Sequence, residues 1–135
     1  MTAKQLAKKI QSQFKTITSD AIEFRGEFTV GILDSNQISE VCCFAKEELA
    51  FDYLVDLCTI DNDDETPRWT VVYHMYSYKH LQHLRLKVSV SEEESKLPSV
   101  TSVWRTANWH EREAFDMMGI EFIGHTKPSN FNDGY

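Results

Sequence analysis

Trp69-Thr70-Val71-Val72-Tyr73-His74-Met75-Tyr76-Ser77-Tyr78-Lys79-His80-Leu81-Gln82-His83-Leu84-Arg85-Leu86-Lys87-Val88-Ser89-Val90 is the stretch that decides the fold. From Trp69 to Tyr78 almost every residue is β-prone, and Leu84, Leu86, Val88 and Val90 then alternate strictly with Arg85, Lys87 and Ser89. Successive side chains of a strand point to opposite faces, so this pattern predicts two long strands with one face buried and the other solvated. Outward from this ribbon the signals alternate between helix and strand. Thr2 followed three residues later by Gln5 is a capping-box pattern, and Ala3, Leu6, Ala7, Ile10 and Phe14 recur at helical spacing, which predicts a helix over about residues 3–14. Ala21–Phe24 and Phe28–Leu33 are short β-rich runs joined through Arg25-Gly26 and read as a strand pair. Ile38, Val41, Cys42, Ala45 and Leu49 predict a second amphipathic helix, with Ser35 or Asn36 as its cap. Leu57–Ile60 reads as a further strand, and Asp61–Pro67 and Ser91–Lys96 as acidic loops.

The order α-β-β-α-β-β-β-α, with strands grouped in hairpins among helices, predicts a single α+β domain: a mixed β-sheet with a long hairpin, flanked by helices. At 135 residues the chain has the length of one domain. The domain is expected over residues 1–125, with 126–135 as a short tail. Fourteen Lys and Arg stand against 21 Asp and Glu, a net charge of −7, which argues against a general nucleic-acid binder. The longest uninterrupted apolar run, Val41–Ala45, is far below the roughly 18 residues of a membrane span, so no direct membrane insertion is expected. Lys4, Lys8, Lys9 and Lys15 precede the first acid, Asp20, as in organellar transit peptides. That stretch lacks Arg, however, and reads as a folded helix. Three cysteines, Cys42, Cys43 and Cys58, two of them adjacent, fit a reducing compartment. Cys42 reads as a small hydrophobe of the buried stripe, Cys42 and Cys58 both fall in apolar elements that keep thiols protonated and inert, and Cys43 is expected to be more exposed.

The residues with most bearing on function lie near the carboxyl end. Asn108-Trp109-His110-Glu111 is a second capping pattern and Gly119 stands where a helix-ending glycine belongs, so a helix is expected from Trp109 to about Met118. Its geometry puts Trp109, Arg112, Glu113 and Asp116 on one face, with Arg112 able to pair with Asp116, and Glu111, Ala114, Phe115 and Met118 on the other. Aromatic residues on both faces are more than one apolar stripe requires, so the helix is expected to have two neighbours. Trp109, Phe115, Met117, Met118, Ile120 and Phe122 interleave with the charges, as at an interface that excludes water. The competing reading of Glu111-Arg112-Glu113 and Asp116 is a solvated face with weak ion pairs.

Trp109-x-Glu111-Arg112-Glu113-x-x-Asp116-Met117-Met118-Gly119-Ile120-x-Phe122-x-Gly124-His125 resembles the signature of the 30 kDa, C-type subunit family of proton-pumping NADH:quinone oxidoreductase, respiratory complex I. Phe51–Leu54 before Asp61, Val72-Tyr73-His74, Pro98–Thr101, Trp104 and Ala107-Asn108-Trp109 agree with it, so that the resemblance covers about Ala21 to His125. The segment Thr126–Tyr135 departs from the family, whose members usually continue with Pro and a Leu/Arg-rich tail across neighbouring subunits. The resemblance implies a non-catalytic subunit of the peripheral arm that positions the D-type, quinone-site subunit beside neighbouring peripheral-arm subunits. It implies no cofactor in this chain, with FMN and iron–sulfur clusters in partner subunits. It also implies a peripheral location on the cytoplasmic side of the cell membrane, or the matrix side in an organelle. The expected interface residues are Trp109, Glu111, Arg112, Glu113, Asp116 and His125, as docking contacts or their supports. Related subunits in membrane-bound hydrogenases and ferredoxin-driven complexes are the alternative use.

Other chemistry fits less well. An iron–sulfur centre needs about four spaced thiolates, and a dinucleotide fingerprint needs a Gly-x-Gly-x-x-Gly run that this chain lacks. His110-Glu111 begins like a zinc-protease motif, but Ala114 stands where the second His belongs, and a di-metal site would need more than the His110/Glu113 pair. His74, His80 and His83 would make a metal triad only if the turn brought them together, since six extended residues span about 20 Å. No base marks a cysteine as a nucleophile. Lys79, His80, His83, Arg85 and Lys87 among Tyr73, Tyr76 and Tyr78 could form a base-stacking sheet for single-stranded RNA, against which stands the acidic surplus.

Overall fold

The computed structural model describes residues 1–63 and 65–124. Its centre is the expected ribbon: β4 (Trp69–Ser77) and β5 (Gln82–Val90) pair antiparallel, with Trp69 opposite Val90 and Ser77 opposite Gln82. β3 (Tyr53–Asp61) lies antiparallel on the other side of β4. The amino-terminal strands β1 (Ile22–Phe24) and β2 (Glu27–Ile32) form a hairpin whose turn sets both Arg25 and Gly26 at positive φ. β2 then joins β5 in parallel, giving a five-stranded mixed sheet in the order β1-β2-β5-β4-β3.

One face of this sheet carries two helices. α1 (Ala3–Gln13) begins with the expected capping box, Thr2 and Gln5 each accepting from the other's backbone N–H, and buries Leu6, Ala7 and Ile10 completely. α2 (Ile38–Leu49) buries the expected stripe of Ile38, Val41, Cys42, Ala45 and Leu49. Its start differs from the expected Ser35 or Asn36 cap. Asp34 accepts from the Asn36 N–H and opens a single 3₁₀ turn over Ser35–Gln37, which leads into the helix without a side-chain cap of its own. Both stripes meet Val30, Leu54, Leu57, Val71, Tyr73, Met75, Leu84, Leu86 and Val88 in one apolar core.

Downstream the chain departs from expectation twice. Lys96–Pro98 (β6), at the end of the expected acidic loop, and Glu121–Ile123 (β7), for which no strand was expected, pair in parallel as a small second sheet that buries Leu97 and Phe122. α3 (Ala107–Met118) begins before the expected Asn108 cap, after a series of turns from Val100, with no side-chain cap, and ends as expected at Gly119, whose φ is +77°. Ile120 and Phe122, counted in the sequence among the interface residues, belong to the core.

Two further points of the sequence reading are decided by the sheet. Cys58 lies in β3, but on its exposed side, because Leu54 and Leu57 take the inward positions of that bulged strand. His74 and His83, which the sequence brings together only if the turn does so, are diagonal neighbours across β4 and β5, since the hairpin register pairs Tyr76 with His83 and His74 with Arg85. Their Nε2 and Nδ1 atoms lie 2.8 Å apart. No group of three or more His, Cys, Asp or Glu suited to a metal ion occurs among the described residues.

Candidate docking surface

α3 contacts β3, an edge strand of the large sheet, and the two sides of the helix follow different rules. Ala107, Glu111 and Ala114, at i, i+4 and i+7, form the buried stripe, and Glu111 is completely shielded from solvent. A carboxylate taken out of water needs donors, and the preceding segment supplies them. The Ser99 hydroxyl donates to Oε1 at 2.7 Å and the Val100 N–H donates to Oε2 at 2.7 Å. Ser99 and Thr101 share a hydroxyl contact of 2.9 Å, and the Val100 carbonyl accepts from both Val103 and Trp104 N–H groups. The carboxylate therefore caps the turn that leads into its own helix.

Two further bonds fix this turn to the main core. The Trp104 indole N–H donates to the Phe51 carbonyl at 2.9 Å, and the Lys46 ammonium donates to the Val103 carbonyl at 2.8 Å. Burial pushes the Cys42 thiol well above its ordinary range, with the Glu111 charge adding to the effect, so this cysteine is an inert part of the packing. The Tyr73 phenol is pushed up in the same way, by burial first and then by Cys42 and Glu111.

The outward side holds the other candidates. Trp109 is 59% exposed, Phe115 54% and Met117 70%, with Arg112 half-buried and Glu113 and Asp116 exposed beside them. Phe115, grouped in the sequence on one face with Glu111 and Ala114, is exposed whereas those two are buried. The structure thus brings Trp109, Arg112, Glu113 and Asp116 to the accessible side of one helix and sets Glu111 behind them. His125 lies outside the described residues. Sequence reasoning missed the Ser99 hydroxyl and the Val100 amide as partners of Glu111. Their signal was present in the Pro98–Thr101 run, which spacing alone did not connect to the helix.

Where α3 meets the large sheet, His110 Nδ1 stands 3.7 Å from Asp56 Oδ1. The Cys58 thiol donates to Asp56 Oδ2 at 3.0 Å and the Leu57 N–H to Oδ1 at 2.8 Å. These bonds hold the Asp56 carboxyl below its usual range, the Cys58 bond contributing most. The same bond, with burial, pushes the Cys58 thiol up to about 11, so exposure does not make it a thiolate at neutral pH.

Fold and helix together define a class: small two-layer α+β domains whose last helix is pinned from within by a carboxylate and shows large apolar side chains outward. Residues 32–132 match the model of the respiratory-chain NADH dehydrogenase 30 kDa subunit family, and the chain belongs to that family, as the sequence signature implied. It is 54% identical over 91 residues to the C-type subunit 2 of the NADH-quinone oxidoreductase of Rhizobium meliloti (strain 1021), an alignment covering 66% of this chain and 50% of that one. It is 43% identical over 117 residues to the C-type subunit of the NADH-quinone oxidoreductase of Geotalea uraniireducens (strain Rf4), covering 87% and 71%. The chain thus spans about half the length of the first relative and 71% of the second. A solved structure described as Nqo5 of a trypsin-resistant fragment superposes with a TM-score of 0.77 at 27% identity, over 91% of this chain and 96% of that one. A chain from the membrane-bound sulfane sulfur reductase, an archaeal respiratory membrane complex, shares the fold with a TM-score of 0.78 at 18% identity, over 91% and 71%.

Proposed function

We propose that this chain is a non-catalytic scaffold subunit in the peripheral arm of a proton-translocating NADH:quinone oxidoreductase, docking through the outward side of α3 on the D-type, quinone-site subunit. Family membership supports the complex. The observation that carries the docking role is the exposure of Trp109, Phe115 and Met117 on a helix held rigidly from behind by Glu111. Large apolar side chains grouped with charges mark contact surfaces, and a Trp or Arg at such a surface commonly carries much of the binding energy. Trp109 acts here as the anchor, and Arg112, Glu113 and Asp116 supply the polar contacts that fix the register. His125 is assigned to the same surface on the motif alone. FMN and iron–sulfur clusters belong to partner subunits in this reading, and neighbouring peripheral-arm subunits complete the surroundings. The chain sits peripherally on the cytoplasmic side of the membrane, or the matrix side in an organelle. Among the described residues no helix is long and apolar enough to cross a membrane. The docking domain is assigned to residues 1–125, and 126–135 are set apart from it on the sequence alone.

Co-purification with the quinone-site subunit from membranes tests this. Trp109→Ala and Arg112→Ala should each weaken association by about 2 kcal/mol, some thirtyfold, with an unchanged melting curve of the isolated chain. Recovery of both variants with the parent's stoichiometry and affinity would overturn the reading. So would turnover of a substrate, or a stoichiometric flavin, in the purified chain alone.

A further inference from the structure

The long hairpin gives the molecule two electrical poles. Residues 1–9 and 69–91 hold six of the 14 Lys and Arg, three of the five His, and no Asp or Glu. Met1 and Ala3 tie the first of these segments to the hairpin turn, the terminal amine to His80 Nδ1 at 3.3 Å and the Ala3 N–H to Gln82 Oε1 at 3.0 Å. At the opposite end of the strands, Asp61, Asp63 and Glu65 lie in one loop and Glu92, Glu93 and Glu94 in the other, with Arg68 bridging Asp61 at 2.6 Å and Glu92 at 3.1 Å. Strands of nine residues set the two poles about 30 Å apart.

On the sheet face opposite α1 and α2, the turn end carries an unbroken series of rings. Tyr53 stands 6.2 Å from Tyr78, Tyr78 4.9 Å from Tyr76, Tyr76 4.5 Å from His83, and His83 4.9 Å from His74. Together they cross β3, β4 and β5, and Tyr53 and Tyr78 are exposed. Arg85, bonded to Glu27, borders the rings. Lys79 in the turn and Lys87 farther along β5 are exposed and take part in no ion pair among the described residues. The nearby Asp56 carboxylate accepts from the Cys58 thiol and the Leu57 N–H, which leave its negative charge in place, and Asp52 is exposed beside Tyr53.

We propose that this face is a second docking site, separate from α3, for a short acidic and extended polypeptide segment of a partner protein. Unpaired cations beside a row of exposed tyrosines supply what such a segment needs: charge to steer and hold its carboxylates, and flat rings on which an extended, proline-containing backbone can lie. A long polyanion fits worse. The three-strand patch is only about 15 Å wide, and a nucleic acid running beyond it would meet the field of a chain with net charge −7 and six carboxylates at the far pole. The inference does not rest on the α3 reading, because it uses different residues and a different face.

Fluorescence anisotropy of the full chain with a labelled twelve-residue Glu-Pro repeat tests it, with a Gln-Pro repeat of equal length, oligouridine and phosphatidylglycerol vesicles as alternative probes. The Glu-Pro peptide should bind best, and more weakly as salt rises. The double variant Lys79→Glu/Lys87→Glu should lose roughly tenfold or more and Tyr78→Ala several-fold, while Glu93→Gln/Glu94→Gln at the far pole should not weaken binding. Circular dichroism and thermal melts establish that each variant is folded. Equal binding of the Gln-Pro repeat, parental binding by the lysine variant, or tighter binding of oligouridine or vesicles would overturn the proposal. Sedimentation at low salt supplies a last check, since self-association abolished by changes at either pole would make the occupant a second copy of this chain and would also overturn it.

Discussion

The β4–β5 hairpin and α3 place their residues by opposite rules. Along the hairpin every inward position is apolar or small: Trp69, Val71, Tyr73, Met75 and Ser77 on one strand, Leu84, Leu86, Val88 and Val90 on the other. In α3 the completely buried positions are Ala107 and a glutamate, Glu111, and the large apolar residues Trp109, Phe115 and Met117 face outward. The contrast shows what hydrophobic patterning reports. It gives burial directly where the core is apolar. It misleads where a polar side chain finds all its partners inside and apolar side chains are kept for a surface contact.

The sharpest way to break this contrast is to truncate one residue of each kind. Leu86→Ala, at a completely buried position, should cost about 3 kcal/mol in urea unfolding, while Lys87→Ala next to it should stay within about 0.5 kcal/mol. Glu111→Ala should cost about 2 kcal/mol, because it strands the Val100 N–H in the interior and leaves the Ser99 hydroxyl with Thr101 alone. Glu111→Gln should cost less, since it retains one acceptor. A loss below that of Lys87→Ala would show that the carboxylate does not hold the helix.

A smaller effect concerns pH. Burial, with Arg85 and His83 next, holds the His74 imidazole below its ordinary range. The unfolded chain therefore takes up this proton at higher pH than the folded one, so the contribution is present above the ordinary histidine value and is lost as pH falls through it. Stability should decline on acidification through that window, and His74→Gln should flatten the decline in urea titrations at successive pH values. The depressed carboxyls of Glu27, Asp56 and Asp61 work in the same direction at lower pH. The smallest expected change is Trp109→Ala on the isolated chain, within about 0.5 kcal/mol, since most of that ring already meets solvent. A large loss there would make Trp109 part of the packing and move the contact surface elsewhere.

The legible parts of the sequence are those governed by local chemistry. The Thr2/Gln5 box, the α2 stripe, the hairpin alternation and the Gly119 stop each follow from a few neighbouring residues, and the motif around Glu111-Arg112-Glu113 is enough to place the family. The three-residue strands β6 and β7 are not legible, because so short a run has no measurable period and exists only through its partner. The partners of Glu111 lie eleven and twelve residues earlier, a tertiary bond that spacing along one helix does not reveal. Cys58 defeats the pattern for a related reason: the irregular register between Leu54 and Asp56 shifts which side of β3 faces inward.

The parallel pairing of β2 with β5 has a kinetic consequence. β3, β4 and β5 follow one another as an antiparallel meander whose loops are short, whereas β2 reaches β5 only after α2, β3 and β4 have been traversed, a closure of some fifty residues. Pulse-labelling during refolding should therefore find amide protection first in the meander, with Val30 and Ile32 following once the long closure is complete.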